Sequence, residues 1–553
     1  MTENEKLAEL LFPQITKTPD DYEKIYPQRN LKEGTRVTRI APSPTGFLHL
    51  GNLFAGMASY KTAKVSDGIF FVRVEDTDQK RKVDGAVEVM LEGLKTYGIT
   101  PDEGVMADGS QKGSYGPYIQ SQRKEIYQAY AKYLVKQDLA YPCFCTADDL
   151  EKLHAEQEND DIKGYYGEYA KCRNLTFEQI KTNIDCGKTW TLRIKSPGEI
   201  DKKCYFDDMI KGKIEMPENI IDIILLKSDG IPTYHFAHVI DDHLMRTTHV
   251  IRGDEWIASV PIHLQLFKCL NFKIVKYAHI APLMKMENGN KRKLSKRKDP
   301  ELAVMYYNQE GYPSISVNEY MMTVMNSNFE DWRRANKEAP QNAFPFNLKK
   351  MSVSGALFDL QKLNDISKNM ISVMTADEVY ERTLEWAKVY DNEYYEVLKN
   401  DEYNAKQMIN LDRGSKKPRK DIAKWSEVKD YFSYFYEQYY KKDYSLPQNI
   451  SKADATAILK AYKAVYSEND DKDIWFEKIK ALCEPLGFTP NVKEYKETPD
   501  AFKGHVGDVS TVIRIAVTSR TNTPDLCTIM KLLGQEEVEN RLSDAIKTYE
   551  EAK

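Results

Sequence analysis

A chain of 553 residues exceeds what one hydrophobic core supports, so about three to five structural units are expected. Hydrophobic residues make up 41 %, enough for real cores, and the net charge of −5 excludes a surface that attracts polyanions throughout, so any nucleic-acid contact must use local basic patches. Eight scattered cysteines fit free thiols in a reducing compartment, MTENEKLAELLFPQITK has no signal- or transit-peptide character, and no stretch approaches the ~20 apolar residues of a membrane span, so a cytoplasmic protein without a membrane partner is expected. Residues 1–34 form an extension in which Leu7, Leu10 and Leu11 suggest a short helix interrupted by Pro13, Pro19 and Pro27. Thr35–Asn52, TRVTRIAPSPTGFLHLGN, begins as a strand, with β-forming Val37 and Ile40 interleaved with Arg36 and Arg39. Pro42 to Gly46 break regular structure, and His49-Leu50-Gly51-Asn52 opens a helix with Leu53, Met57 and Tyr60 on one face. Ile69–Val74, continuous except for Arg73, suits a strand buried on both faces of a parallel sheet. The unit is a βαβ crossover that puts His49 at a helix N-terminus, where free N–H groups would hold a phosphate.

Glu75-Asp76-Thr77-Asp78 follow that strand and face the same crevice, because ligands bind beyond the carboxyl ends of parallel strands. From Tyr118 to about Leu225 the strand–helix alternation is interrupted by a helix with Ile126, Tyr130, Tyr133 and Leu134 on one face, by Cys143-Phe144-Cys145 and Cys172, and by a strand at Trp190–Ile194. The sheet is expected to resume at Ile220–Leu226, turn at Ser228-Asp229-Gly230, pass through Tyr234, His235, His238 and Asp241-Asp242-His243, and reach a strand at Thr248–Ile251 followed by Arg252. A metal reading of His235, His238 and His243 lacks a Cys or Glu to complete the pattern, so polar residues lining a helix are preferred. The basic run KRKLSKRK, Lys291–Lys298, lies between Gly289 and Pro300, which suggests a loop able to move. Beyond it, residues 300–375 mix helices and turns, and from about 376 the chain is helical. Most aromatics of Tyr431–Tyr444 are read as bundle core rather than base-stacking platforms, and Leu526, Ile529, Met530 and Leu533 form a helical face ended by Gly534.

Arg39-Ile40-Ala41-Pro42-Ser43-Pro44-Thr45-Gly46 with His49-Leu50-Gly51-Asn52, and Lys293-Leu294-Ser295-Lys296-Arg297 far downstream, resemble the two signatures of the glutamyl-tRNA synthetase family, class I aminoacyl-tRNA synthetases of bacterial type. The likeness is tight from 36 to 300 and looser from 300 to 553. It implies an α/β fold: a Rossmann-like parallel-sheet catalytic domain split by an α+β insertion, then an all-helical anticodon-binding region. The implied division is an N-terminal extension at 1–34, catalytic halves at 35–117 and 226–288, an acceptor-binding insertion at 118–225, a stem-contact region with the basic loop at 289–375, and the anticodon region at 376–553.

By residue match the resemblance implies catalytic roles for His49, Lys293 and Lys296, and ATP contacts from these with Gly51, Asn52 and Ser295. It implies substrate contacts from Arg39, Ala41, Ser43, Glu75, Tyr234, His238 and Arg252, with Glu75 on the ammonium of glutamate and Arg252 on its side-chain carboxylate; many relatives have Asn where this chain has His238. Some members hold zinc in the insertion, and Cys143, Cys145 and Cys172 match in part, with Tyr169 and Cys186 as candidates for the fourth ligand; buried free thiols are the preferred reading. The implied reaction is ATP-dependent ligation of L-glutamate to tRNA(Glu) through glutamyl-adenylate, with transfer to the 2′-hydroxyl of the terminal adenosine. Mg²⁺ would travel with ATP, and a monomer is expected. The alternatives are a relaxed enzyme that also charges tRNA(Gln), a glutaminyl enzyme, and a non-catalytic tRNA-binding relative. Arg39 and Arg252 oppose the glutaminyl reading, because they suit a carboxylate better than an amide.

Overall fold

A computed structural model describes residues 1–44, 48–78, 83, 85–295 and 297–551. The chain separates into two compact units, residues 1–306 with 318–359, and residues 307–317 with 360–553.

The first unit opens with two short helices, α1 (Glu3–Leu11) and α2 (Pro19–Ile25). Each has a reciprocal cap, Thr2 with Glu5 and Thr18 with Asp21, so their orphan N–H groups are satisfied locally. Then come β1 (Val37–Ile40), α3 (Leu50–Lys64), β2 (Ile69–Val72), α4 (Ala86–Thr96), β3 (Glu103–Val105) and β4 (Gln111–Lys112). β1, β2 and β3 are parallel neighbours, and β4 closes that edge antiparallel. All four β1 residues are buried, including Thr38 and Arg39, as expected of a strand covered on both faces. α3 lies over the strands with Leu50, Leu53, Phe54 and Met57 buried.

Next are α5 (Lys124–Lys136), β5 (Ala140–Cys143), α6 (Ala147–Glu156), α7 (Phe177–Asp185), β6 (Thr191–Ile194), β7 (Lys203–Asp208), β8 (Gly212–Pro217) and β9 (Ile224–Leu226). Here the structure corrects one expectation. The segment ending at Leu226 does not resume the parallel sheet: β9 pairs antiparallel with β6, and with β5 they form a separate three-stranded sheet. A short apolar run does not reveal its partner, and these residues bury their side chains against the strands nearest at hand. β7 and β8 form a hairpin.

The parallel sheet returns after α8 (Tyr234–Leu244), with β10 (His249–Gly253), α9 (Val260–Cys269) and β11 (Lys276–Ile280). The Thr248 N–H donates to Val37 O at 2.9 Å, so β10 and β11 continue from the β1 edge. Chain order therefore reverses between β1 and β10, the switch point at which open α/β sheets leave a crevice. β12 (Met284–Glu287) and β13 (Asn290–Lys293) follow as a hairpin closed by Asn288 and Gly289, both at positive φ, the Asn-Gly pair that a two-residue turn favours. Gly289, read in the sequence as a flank of the basic loop, thus belongs to this turn.

The N-terminal extension is bound into this unit. Lys132 of α5 donates to Phe12 O at 3.1 Å, Ile15 O at 2.8 Å and Glu9 at 2.6 Å. Arg29 holds Glu103 with two bonds at 2.8 and 2.9 Å, and Glu23 takes His243 and Arg246 at 2.6 Å each.

The second unit is helical. One core joins the helices Lys452–Lys463, Val506–Thr518 and Gln535–Glu551 through Ile458, Leu459, Val512, Ile513 and Leu542. A second gathers Val379, Tyr394, Leu398 and Met408 with Phe432, Tyr434 and Tyr436, the aromatics expected to be core. No helix among the described residues is long and apolar enough to cross a membrane.

Gly104 sits in β3 at φ +108, and a Cβ there would lie 2.2 Å from Val72 O. Gly104→Ala is expected to destabilise the first unit by about 3 kcal/mol or more, read as a lower urea midpoint; a midpoint equal to that of the parent chain would contradict the tight β2–β3 approach.

Candidate active site

At the carboxyl ends of β1, β2 and β10 lies a cleft of about 570 Å³. Arg39, Ala41, Ser43, His49, Gly51, Asn52, Glu75, Tyr234, Arg252 and Lys293 line it, so most of the residues singled out in the sequence share one cavity. His238 and Ser295 are not on its wall, and Lys296 lies outside the described residues.

His49 is itself the cap of α3. Its Nδ1 accepts from the Asn52 N–H at 3.3 Å, and Asn52 Oδ1 accepts from the His49 N–H at 3.4 Å. A ring that accepts at Nδ1 is, when neutral, a donor at Nε2. Gly51 permits this: a Cβ there would lie 3.1 Å from the His49 ring. The helix end thus offers an imidazole donor beside the N-terminal dipole, chemistry suited to an anionic oxygen.

Behind the cleft is a buried charge network. Arg39 donates to both oxygens of Asp242 at 3.3 Å each. Arg73 donates to Asp242 at 3.0 Å and to Glu75 Oε1 at 2.9 Å, and Arg123 donates to Asp241 at 2.7 Å. Burial alone would raise the Asp242 carboxyl, yet the Arg39 and Arg73 guanidinium groups and His238 hold it well below the usual range. For Glu75 burial wins and its pKa is raised, with Arg73 and Arg39 opposing. The charges count three positive (Arg39, Arg73, Arg123) and three negative (Glu75, Asp241, Asp242), so the network closes on itself. Arg39, read in the sequence as a carboxylate-binding arginine, already has a buried carboxylate partner.

Arg252, on β10, is the other arginine at the cleft. Its Nη1 donates to Tyr234 OH at 3.1 Å and its Nη2 to His263 Nδ1 at 3.2 Å, while its face covers Tyr277 at 4.9 Å. His263 Nδ1 must therefore carry no proton, and its Nε2 donates to His235 Nδ1 at 3.0 Å. Tyr234 lies between the Trp256 ring, 4.3 Å away, and the His238 ring, stacked at 5.8 Å. His238 stands behind Tyr234, wholly buried, with Nε2 2.9 Å from Tyr277 OH and Nδ1 2.5 Å from Asp242. It supports the wall rather than forming it. The i, i+4 spacing of His238 and Asp242 on α8 was a readable signal for this pair; Trp256 and His263 had none.

At the mouth, Asp299 fixes the basic segment. Arg292 grips its carboxylate with two bonds at 2.6 and 2.8 Å, and the Ser295 N–H donates to it at 2.8 Å. Arg292 and the Ser295 N–H hold the Asp299 carboxyl far below the usual carboxylate range. Lys293, next to this clamp, is exposed and reaches the cleft.

Away from the cleft, Cys143, Cys145 and Cys172 bring their sulfurs within 4.8 Å of one another. Cys145 Sγ lies 3.4 Å from Tyr165 OH and 3.8 Å from Cys172 Sγ. Hydrogen bonds from Cys145 and Cys172 lower the Cys143 thiol, and the bonds to Cys143 and Cys172 raise the Cys145 thiol in turn. The fourth group is Tyr165, which the sequence reading missed. Tyr169 instead donates to Asp160 at 2.8 Å, and Cys186 is exposed at the end of α7.

A family model described as "tRNA synthetases class I (E and Q), catalytic domain" matches residues 36–365, and one described as "Anticodon binding domain" matches 378–546. The chain is 48 % identical over 543 residues to a "Glutamate--tRNA ligase" of Clostridium perfringens, covering 97 % of this chain and 100 % of that one. It is also 48 % identical over 539 residues to one of Acetivibrio thermocellus, covering 97 % and 98 %. A solved "glutamate tRNA ligase from Elizabethkingia meningosepticum … in complex with its amino acid" superposes with a TM-score of 0.73 at 26 % identity, covering 93 % of this chain and 99 % of that one.

Burial brings His235, His238 and His249 down to about 4, 3 and 4, from ordinary values near 6.5. Below pH 6.5 the unfolded chain takes up protons that the folded rings refuse. Their contribution is complete above the unfolded value and is lost as pH falls toward the folded ones. Between about pH 7.5 and about pH 5 each ring should remove about 2 kcal/mol, lowering the urea midpoint. A midpoint unchanged across that interval would show that these histidines are not held neutral.

Proposed function

The chain belongs to the glutamate and glutamine family of class I tRNA synthetases, and we propose that its cleft joins L-glutamate to tRNA(Glu) with ATP. The observation that supports this reading is one cavity lined by an arginine whose bonded partners are uncharged, a buried acid, a helix N-terminus and a lysine: Arg252, Glu75, His49 and Lys293. Arg252 takes the side-chain carboxylate of glutamate. Glu75, with Oε1 on Arg73, turns its other oxygen to the substrate ammonium, whose charge favours the ionised acid. Arg39 adds positive field from within the network, Ala41 and Ser43 form the floor after β1, and Tyr234, backed by His238, forms the wall. His49, Gly51 and Asn52 receive the phosphates at the N-terminus of α3, and Lys293, at the end of β13, serves them with Ser295 and Lys296 of the basic run.

In the first step a carboxylate oxygen of glutamate bonds to the α-phosphorus of ATP and the bond to pyrophosphate breaks. In the second, the 2′-hydroxyl of the terminal adenosine bonds to the glutamyl carbon, AMP leaves with the bonding electrons and the hydroxyl proton is released. No side chain forms a covalent intermediate, and positioning and charge stabilisation supply the rate. Mg²⁺ enters with ATP and screens phosphate charge. The insertion at 118–225 receives the acceptor end, 289–375 the stem and 376–553 the anticodon, and the enzyme acts as a cytoplasmic monomer.

Amidation of the substrate is the sharpest discriminant. An amide offers one acceptor and two donors, and donors cannot satisfy a guanidinium. Purified enzyme is expected to charge tRNA(Glu) with glutamate and not with glutamine. Arg252→Ala should raise KM for glutamate by on the order of 10² while KM for ATP stays nearly constant, measured by pyrophosphate exchange with tRNA present. Arg252→Lys should restore little, because an ammonium lacks the fork. Comparable use of glutamine would transfer the reading to a glutaminyl enzyme; inactivity with either amino acid would transfer it to a tRNA-binding relative.

The thiol cluster fits zinc: three sulfurs and a phenol oxygen converge at a partly buried point. Zinc there would tie the Cys143–Cys145 turn to the loop carrying Tyr165 and Cys172. Metal analysis of purified protein should give about one equivalent, lost in Cys143→Ser. Protein free of zinc after purification in its presence would return the cluster to plain thiols.

A further inference from the structure

Arg252 is held by more than the cleft requires. Its Nε donates to His279 Nε2 at 3.1 Å, and the two residues are paired in the parallel β10–β11 register. A ring nitrogen that accepts from a guanidinium bears no proton, so the His279 proton sits on Nδ1. That Nδ1 lies 2.7 Å from Asp208 Oδ2, which also accepts the His279 backbone N–H at 3.0 Å. Asp208 Oδ1 accepts the Ile210 and Lys211 N–H groups at 2.9 Å each, so the carboxylate is fixed on both sides. Asp208, His279 and Arg252 are 4 %, 0 % and 6 % exposed. Asp208 closes β7, in the hairpin between β6 and β9, and touches neither the cleft nor Arg252.

We propose that Asp208 is a positioning residue for the amino-acid pocket: it locks His279 in the Nδ1–H tautomer, and that tautomer aims Arg252 at the side-chain carboxylate of the substrate. The inference rests on the reading of Arg252 as the carboxylate-binding group. With the other tautomer, an N–H of His279 would face the N–H of Arg252, two donors with no acceptor between them. With Asp208 in place, His279 takes the Nε donor, Tyr234 one Nη1–H and His263 one Nη2–H, which orients the guanidinium in one plane and leaves a second N–H on each of Nη1 and Nη2 for the fork, that of Nη2 at 3.5 Å from the Trp256 carbonyl.

Asp208→Asn is the isosteric test. An amide has one acceptor oxygen: set toward the Ile210 and Lys211 N–H groups, it leaves the NH₂ against the His279 backbone N–H and Nδ1, so the carboxylate that fixed the His279 proton on Nδ1 is lost. KM for glutamate should rise about 30-fold while KM for ATP stays within about twofold, by pyrophosphate exchange on full-length enzyme with tRNA. His279→Gln, whose amide oxygen can accept from Arg252 without Asp208, should stay within about fivefold of the parent KM for glutamate, and His279→Leu should not. That pair of variants carries the test if Asp208→Asn does not fold. An unchanged glutamate KM in Asp208→Asn and His279→Leu, with a raised one in Arg252→Ala, would overturn the tautomer lock and leave the carboxylate reading intact. An unchanged KM in Arg252→Ala would overturn that reading, and this inference with it. Equal rises for glutamate and ATP in Asp208→Asn would overturn the lock as well, by showing a general loss of structure instead.

Discussion

Two arginines and a histidine converge on one carboxylate, that of Asp242, in space that water does not reach. Arg39 comes from β1, Arg73 from the end of β2 and His238 from the same helix as Asp242, while Thr247 donates to it at 2.8 Å. Such a group is costly to bury and costly to orphan: removing one partner leaves an uncompensated charge, whereas the complete set is balanced. The interaction therefore fixes α8 against β1 and β2. Tyr234 at the start of α8, Glu75 beyond β2 and Ala41 and Ser43 beyond β1 take their positions from it.

A second constraint is the uncharged state of the histidines around Arg252. A protonated ring has only donors, and an arginine surrounded by donors has nowhere to place its own. Burial keeps His235, His238, His263 and His279 below their ordinary values, with the neighbouring Arg252 adding repulsion to each. Neutral imidazoles with assigned protons orient a cation without cancelling its charge, as a carboxylate would. Arg39, paired with Asp242, and Arg252, paired with imidazoles, show the two arrangements side by side, and the second leaves positive charge at the cleft.

The two signatures, the crossover and the residues at strand ends were legible because they are local: His49, Gly51, Asn52, Glu75, Tyr234, Arg252 and Lys293 can be read from short stretches, and they share a cleft. What failed was pairing between distant segments. Nothing in Ile220–Leu226 says that Leu226 meets Leu192 rather than a strand of the main sheet. Nothing around Cys172 says that Tyr165, rather than Tyr169, turns toward the sulfurs. Arg39 reads as a free cation until Asp242, far along the chain, is seen against it. His238 reads as a substrate contact because its motif neighbours are; only packing puts it behind Tyr234.

The extension before β1 bears on where this domain begins as a physical object. Arg246 stands just past α8 at φ +59, and its guanidinium bonds Tyr26 O at 3.0 Å and Glu23 at 2.6 Å. His243 of the last turn of α8 takes the other Glu23 oxygen. The helix that carries Tyr234 and Asp242 is thus tethered at its far end by residues upstream of the first signature. A recombinant catalytic fragment cut at the start of the family match would sever that tether and strip β3 of the Arg29 partner of Glu103. The boundary recognised as a motif and the boundary that folds as a body differ here by two helices.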